Sequence, residues 1–345
     1  MKRMSLVCAG IMVVVSLVIG GWAKPEPSTA QTKVPPVKAT VLKMALYAPP
    51  MHPMVVNVKE TFPAVEKVTG GRVRVDVYDS EKLVTAKDTV DAVNRGMADM
   101  AVLPLPYFSV NIPWWNVSLI PGLIKDHRGA VFAARYGLTD MYQEAIHSLG
   151  LKIKLAGLGF PGFTMMLVKG KRITVPEDCT GLKIGCPGKG DFVVAEALGG
   201  VPVGMTHPEH YEAMMRGLID ASIGVMASHA KYKVQEPADY LIMQAFGGPF
   251  IGLFISEESL GRLSESDQAA VIEVAKTNII KEAFDNATGD SRLLSEITPQ
   301  LKEVIYPTAE QSQKWKEALS PLLKNFLSKS GAQGQKAVDI IRKFN

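Results

Sequence analysis

The sequence predicts an α/β protein of two lobes that are joined by crossing strands and followed by a helical C-terminal segment. Three observations support this prediction. The 345 residues suffice for about two domains of ordinary size. Strand and helix patterns alternate between residues 40 and 255, which is typical of mainly parallel sheets covered by helices. The chain after Glu257 has a helical pattern to its end.

The N-terminal segment has the pattern of a secretory signal. Lys2 and Arg3 precede an apolar run that ends near Gly20, and small residues precede a cleavage site after Ala23. We therefore predict a signal peptide over residues 1–23, export to the periplasm, and a linker over residues 24–37. Retention of the signal segment as a membrane anchor is the alternative.

The charge balance bears on the class of partner. Without Lys2 and Arg3 the 38 basic residues become 36, against 34 acidic residues, so the exported chain is close to neutral. The sequence also lacks a basic run with interleaved aromatic residues. We therefore predict no nucleic-acid partner.

The first lobe is predicted to begin with a βαβαβ alternation. Ligands in such sheets lie beyond the carboxyl ends of the strands, which here carry the segments 47–52 and 104–108. The predicted strands span residues 40–47, 72–79, 99–106 and about 151–158, and the predicted helices span 52–69, 85–95 and 127–149.

The second lobe repeats this alternation, and the chain is predicted to cross between the lobes twice. Glycine-rich stretches near residues 157–162 and 245–252 are the expected hinge. We assign residues 38–158 and 247–285 to the first lobe, and residues 159–246 and 286–345, with the C-terminal helices, to the second. The predicted strands span residues 163–168, 182–186, about 201, 219–223, 239–246 and 249–255, and the predicted helices span 191–198, 208–216 and, as a long amphipathic helix, 268–284.

Two cysteines follow the predicted signal peptide, Cys179 and Cys186. If residues 182–186 run extended at about 3.3 Å per residue, the two Cα atoms lie beyond the roughly 7 Å that a disulfide spans. We therefore predict two buried free thiols.

One segment carries a family resemblance. The stretch PVGMTHPEHYEAMMRGLID, residues 202–220, resembles the signature of the extracytoplasmic solute receptors of TRAP transporters, the DctP family. Residues 52–78, 175–188 and 261–271 are similar to further parts of that family, so the resemblance covers about residues 40–330. The signature residues of the family recur at Pro202, Val203, Met205, Glu209, Tyr211, Ala213, Gly217 and Asp220.

The resemblance implies a two-lobed periplasmic binding protein, a clamshell with crossing hinge strands. Such a receptor captures a small organic ligand and delivers it to the small and large permease subunits of the TRAP transporter in the membrane. It is not an enzyme and needs no cofactor. A periplasmic sensory receptor that docks on a signalling partner is the alternative, because it would use the same clamshell.

Three polar anchors of the family are missing. The family's arginine in the strand after GLKI, which holds the ligand carboxylate, is replaced by Gly185, and its second arginine by Thr164. The family's asparagine after Asp220 is also lost, since residues 221–224 read ASIG. A buried carboxylate without a cation is strongly disfavoured. The sequence therefore predicts a ligand that is neutral, bulky or aromatic, in a pocket that has gained room and lost charge.

The expected walls of this pocket are strand-end residues, mainly aromatic, with the two replaced anchor positions. Met205 and Met226 have core filling as their ordinary role, and one of the two adjacent tryptophans is expected to face the cleft. The predicted ligand-binding residues are His52, Tyr107, Phe108, Trp114, Trp115, Phe163, Thr164, Gly185, Met205, His207, Met226 and Phe246, with Phe160 as a further wall.

Two other interpretations concern charged side chains. Lys189 in PGKGD could replace the missing arginine, which would make the protein a carboxylate receptor. His207 and His210 suggest a metal-dependent hydrolase, but Thr206 and Glu209 have the spacing of a helix capping box. We therefore predict no metal site. The sequence also has no His-Glu-x-x-His, Gly-x-Ser-x-Gly or phosphate-loop motif, which argues against an enzyme.

Overall fold

This computed structural model describes residues 39–108 and 112–345. The predicted signal peptide, its possible role as an anchor, and the predicted linker lie outside the described residues. Within the described ranges, no helix combines the length and the apolar character that a membrane span requires.

The first sheet has five strands in the order β2-β1-β3-β10-β4. Strand β1 pairs in parallel with β2 and β3, and β10 runs antiparallel between β3 and β4. The side chains of β3 and β10 are buried on both faces, as expected of central strands covered by helices. The strands are β1 (Thr40–Leu46), β2 (Val73–Tyr78), β3 (Met100–Pro104), β4 (Ile153–Gly159) and β10 (Ile251–Ser256).

The second sheet has six strands in the order β11-β9-β5-β8-β6-β7. Strand β6 pairs in parallel with β7 and β8, which places Gly185 beside Val203 on one side and Ser222 on the other. The strands are β5 (Thr164–Val168), β6 (Lys183–Cys186), β7 (Val201–Gly204), β8 (Ala221–Val225), β9 (Tyr240–Ile242) and β11 (Glu303–Ile305). Strand β11 lies in the C-terminal segment, for which the sequence predicts only helix.

The chain passes from the first sheet to the second through residues 160–163 and returns through residues 243–250. The two connections touch. A Cβ at Gly248 would lie 2.5 Å from the carbonyl oxygen of Gly162, and one at Gly247, which has φ +94°, would lie 2.4 Å from the carbonyl oxygen of Leu119. Only glycine therefore fits where the connections meet.

Twelve α-helices are seen in the described residues, and local chemistry sets several of their ends. The predicted helix 52–69 is two helices, because Pro63 has no N–H to donate to the preceding turn. The predicted helix 127–149 is interrupted by a π-helical turn at Ala134–Leu138, in which Gly137 has φ +150°. The helices are α1 (Pro53–Thr61), α2 (Pro63–Val68), α3 (Thr89–Asn94), α4 (His127–Ala133), α5 (Thr139–Ser148), α6 (Lys189–Ala197), α7 (His207–Met215), α8 (Met226–Lys231), α9 (Glu257–Gly261), α10 (Glu265–Ile297), α11 (Ala309–Leu319) and α12 (Pro321–Arg342).

Each sheet has its own hydrophobic core, and the C-terminal segment packs on both. Trp315 and Leu322 lie in a core of the second sheet, whereas Val338 and Ile341 lie in the core of the first. The assignment of the whole segment 286–345 to the second lobe is therefore wrong for the end of α12. The long helix α10 also serves both lobes, since Ile279 packs in the first core and Leu293 in a core of the second.

Both cysteines are buried free thiols, as the extended spacing predicts. Cys179 and Cys186 lie in a core of the second sheet. Burial raises the pKa of Cys179 to about 12, so this thiol stays protonated and unreactive.

Candidate functional site

A cavity lies where the strand ends of the two sheets meet. The space open to the centre of a water molecule is about 30 Å³, which is enough for one or two waters. Both lobes and both interlobe connections contribute to its wall. The lining residues are Tyr47, His52, Met54, Pro104, Pro106, Tyr107, Leu119, Pro161, Thr164, Pro187, Asp191, His207, Val225, Ser228, Pro249, Ile251 and Glu282.

Four of the residues that the sequence singled out line this cavity: His52, Tyr107, Thr164 and His207. His52 is also the N-cap of α1, where its Nδ1 accepts the backbone N–H of Met54 at 3.3 Å. The Thr164 hydroxyl donates to the carbonyl of Gly247 at 3.2 Å, so it is tied to the return connection. Tyr107 accepts the backbone N–H of His207 at 3.1 Å, which joins the two lobes across the cavity.

The structure places the other predicted wall residues away from the cavity lining. Phe108 and Trp115 pack in the first core, where Trp115 Nε1 donates to the carbonyl of Leu105 at 2.8 Å. Phe246 packs against Trp315 with ring centroids 5.5 Å apart. Trp114 and Phe160 are also in the first core, and Phe163 packs against it. Met226 lies in a core of the second sheet, and Met205 packs against that core. Gly185 lies within β6.

Histidine side chains fill the space beside Gly185 and Gly224, in the region where the sequence predicts lost polar anchors. A Cβ at Gly185 would lie 2.8 Å from Ile219 Cδ1 and 3.3 Å from His210 Cε1. A Cβ at Gly224 would lie 2.6 Å from His207 Nε2 and 2.9 Å from His229 Cε1. The prediction that the pocket gains room at these positions is therefore wrong, because Ile219 and the imidazoles carried by α7 and α8 occupy that space.

These histidines are buried and neutral. His210 Nδ1 lies 2.7 Å from Ser222 Oγ, and His229 Nε2 lies 3.3 Å from the carbonyl oxygen of Met165. Burial, which penalises the charged imidazolium, lowers the pKa of His210 and of His229 to about 4 and that of His207 well below its usual value. Across residues 39–108 and 112–345, no three His, Cys, Asp or Glu side chains converge to hold a metal ion.

Thr206 and Glu209 cap the start of α7, as their spacing predicts. Helix α7 begins at His207, and the Glu209 carboxylate accepts the backbone N–H of Thr206 at 2.7 Å and its hydroxyl at 2.8 Å. Glu209 therefore holds the start of α7 and leaves His207 to face the cavity.

Two carboxyl groups of the lining were missed by the sequence reasoning, Asp191 and Glu282. Asp191 stands in the first turn of α6, where the carboxylate accepts the backbone N–H of Gly188 at 3.2 Å. Glu282 belongs to a buried polar row on α10 with Asn278 and Asn286, spaced by four residues. That spacing on an otherwise amphipathic helix was a signal that could have found it.

Lys189 does not serve as a replacement cation in this arrangement. It is exposed at the start of α6 and does not line the cavity. None of the described residues that line the cavity is lysine or arginine. The described lining thus contains acidic groups and neutral polar groups, but no positively charged side chain.

The known proteins that resemble this chain in sequence or structure are described as solute-binding proteins or solute receptors. Residues 44–330 match the family described as bacterial extracellular solute-binding protein, family 7 (DctP). A solute-binding protein of Albidiferax ferrireducens is 27% identical over 234 residues, 66% of this chain and 67% of the relative. The C4-dicarboxylate-binding periplasmic protein DctP of Rhodobacter capsulatus is 24% identical over 284 residues, 79% of this chain and 82% of the relative. A Bordetella pertussis extracytoplasmic solute receptor binding pyroglutamic acid superposes with a TM-score of 0.82 at 16% identity, over 88% of this chain and 100% of that one.

Proposed function

The chain belongs to the family 7 bacterial extracellular solute-binding proteins, the DctP family, and we propose that it is the periplasmic receptor of a TRAP-type transporter that binds its solute in the cavity between the two sheets. The observation that carries this proposal is the composition of the cavity wall. His52 and Tyr107 come from the first lobe, Thr164 and His207 from the second. A solute in this space contacts both lobes and stabilises their closed arrangement.

The proposed ligand is not an acid clasped by arginine. Two of the named relatives are described as binding C4-dicarboxylates and pyroglutamic acid, whereas this cavity has no lysine or arginine in its lining. Transfer of a carboxylate into such a site would leave its charge uncompensated. The cavity has room for one or two waters as it stands, so the lobes must part to admit a solute, and a small ligand requires less opening than the bulky one that the sequence suggested.

The proposed cycle uses the two connections between the sheets as a hinge. Residues 160–163 and 243–250 would absorb the change in backbone angles on opening, and the closed form would present its surface to the membrane subunits of the transporter. Membership of the family supports the proposed membrane subunits and the proposed export to the periplasm.

Thermal shift tests the binding site. The protein is freed of bound small molecules by reversible unfolding, and its melting temperature is measured with and without a small-molecule extract of the periplasm. We expect the extract to raise the melting temperature, because a ligand that binds only the folded state stabilises it.

Two matched substitutions locate the binding. Ser228→Leu places a larger side chain in the cavity and should abolish the shift, whereas Ser291→Leu, at an exposed position of α10, should retain it. An extract that stabilises neither the native protein nor the Ser291→Leu variant contradicts the proposed function. Equal stabilisation of both variants places the binding site elsewhere.

A further inference from the structure

Glu282 is a buried carboxyl with unused hydrogen-bonding capacity. Its side chain is 2% exposed and lines the cavity, and its Oε2 has no partner among the described residues. The segment of α10 that carries it is fixed to the first lobe, where Asn57 Nδ2 donates to the carbonyl of Asn278 at 3.0 Å. An unpaired buried acceptor costs free energy, so its presence in a folded protein calls for an explanation.

Asp191 approaches the same cavity from the second lobe. It is 4% exposed and stands on α6, which packs against β6 and β7. Its carboxyl group accepts one backbone N–H, from Gly188, and a carboxylate can accept several hydrogen bonds. Asp191 and Glu282 therefore supply acceptors from opposite lobes.

The other groups around these carboxyls carry no compensating charge. His52 is neutral, because burial and the nearby Lys231 lower its pKa to about 4, and burial keeps His207 neutral as well. Burial likewise raises the pKa of Tyr47, so this phenol stays protonated. The nearby cations are already paired, Lys231 with Glu296 at 2.8 Å and Lys281 with Asp285 at 2.6 Å.

We propose that the ligand of this receptor is a small organic cation with a protonated amine, which Glu282 and Asp191 bind from the two lobes. This inference rests on the proposed function and specifies its ligand class. The amine donates N–H groups to the two carboxylates, including the unpaired Oε2 of Glu282, and supplies the positive charge that the lining lacks.

Two further features suit an amine. Tyr47 and Tyr107 both line the cavity, with ring centroids 5.5 Å apart, so a bound amine would lie close to aromatic rings that can interact with a cation. Burial raises the pKa of Glu282 to about 8 and that of Asp191 to about 7. Without a ligand at pH 7, Glu282 is therefore mainly protonated and Asp191 is about half protonated. A bound cation would lower both pKa values, and binding at pH 7 would release protons.

A carboxylate ligand fits this cavity less well than an amine. Protonated Glu282 and Asp191 could donate hydrogen bonds to a carboxylate, but the anion would then be buried with neutral donors and no cation. An amine instead places a positive charge directly beside the carboxylates, so that ionisation of either one is compensated. The experiment below separates the two classes.

The test uses fractions of the periplasmic small-molecule extract, separated by ion exchange at pH 7 into cationic, neutral and anionic pools. We expect only the cationic pool to raise the melting temperature of the ligand-free protein. Its active component, isolated and identified by mass spectrometry, should contain an amine. Calorimetry in buffers of different ionisation enthalpy should show proton release when that component binds at pH 7.

Glu282→Gln keeps the size of the side chain and removes its charge. It should weaken binding of the isolated component by about 30-fold or more, as expected when one member of a buried charge pair is lost. Glu273→Gln, the same change at an exposed position of α10, should bind as the native protein does.

Each outcome decides one of the two proposals. A shift caused by the anionic or neutral pool overturns the amine inference and leaves the receptor function standing. Unchanged affinity of Glu282→Gln for the active cation also overturns the inference. No shift with any pool contradicts the receptor function itself, and the inference with it.

Discussion

The two lobes fill the space next to the cavity in different ways. In the first lobe, large aromatic residues pack together, and two of them donate to backbone carbonyls: Trp115 Nε1 to Leu105, and the Tyr142 hydroxyl to Trp115 at 2.5 Å. In the second lobe, glycines on β6 and β8 face the imidazoles of His207, His210 and His229. The first arrangement is independent of pH, whereas the second depends on histidines that remain neutral.

The largest expected effect concerns the tight fit of the second lobe. Gly224→Ala would place a methyl group 2.6 Å from His207 Nε2, in a region where both neighbouring imidazoles are buried. We expect a loss of about 3 kcal/mol in the free energy of unfolding, measured by urea denaturation. Gly261→Ala, whose Cβ meets nothing within 4 Å, should stay within about 0.5 kcal/mol of the native protein. Equal stability of the two variants would show that the second lobe is loosely packed.

The next effect concerns pH. His210 has a pKa of about 4 in the folded protein because of burial, below its ordinary value of 6.5, so the unfolded chain binds more protons between these values. Stability from this residue is therefore present above pH 6.5 and is lost as the pH falls toward 4, by on the order of 2–3 kcal/mol.

The comparison of native protein with His210→Gln isolates this contribution. Glu282 and Asp191 have raised pKa values and act in the opposite direction, since their stability contribution is lost as the pH rises through about 7 to 8. Both are retained in the variant, so the difference between the two unfolding free energies should shrink from pH 7 to pH 4. A difference that is constant with pH would mean that folding does not lower the pKa of His210 and would contradict its burial as a neutral imidazole.

The smallest effect belongs to the first lobe. Tyr142→Phe removes the hydroxyl that donates to Trp115 and leaves a buried acceptor, with an expected loss of about 1 kcal/mol at every pH from 4 to 7. Tyr136→Phe is the matched control, because Tyr136 is 58% exposed. Thermal and urea unfolding measure both. A pH-dependent loss in Tyr142→Phe would contradict the contrast between the lobes.

The fold was largely accessible from the sequence, because local patterns determine it. The alternation of TVLKMALY predicted a strand over residues 40–47, and the structure has β1 over Thr40–Leu46. Helix 127–149 was predicted without a break, since nothing in its apolar periodicity reveals that Gly137 adopts a positive φ against Ile340 of α12. Such breaks depend on contacts between residues distant in the chain.

The candidate site was harder to predict from the sequence than the fold. His52 and Tyr107 could be located because they follow strand ends, where α/β sheets place ligands. Glu282 could not be placed in this way, because it lies within a helix whose polar residues are expected to face solvent. The space beside Gly185 was misjudged because His210 and Ile219, which fill it, come from a different element.

Five prolines border the cavity: Pro104, Pro106, Pro161, Pro187 and Pro249. Their nitrogens have no hydrogen to offer, so at these five positions the main chain cannot donate a hydrogen bond to a bound solute. The backbone there can only accept, which suits a solute that brings its own donors. This bias would persist when neighbouring side chains of the lining are changed.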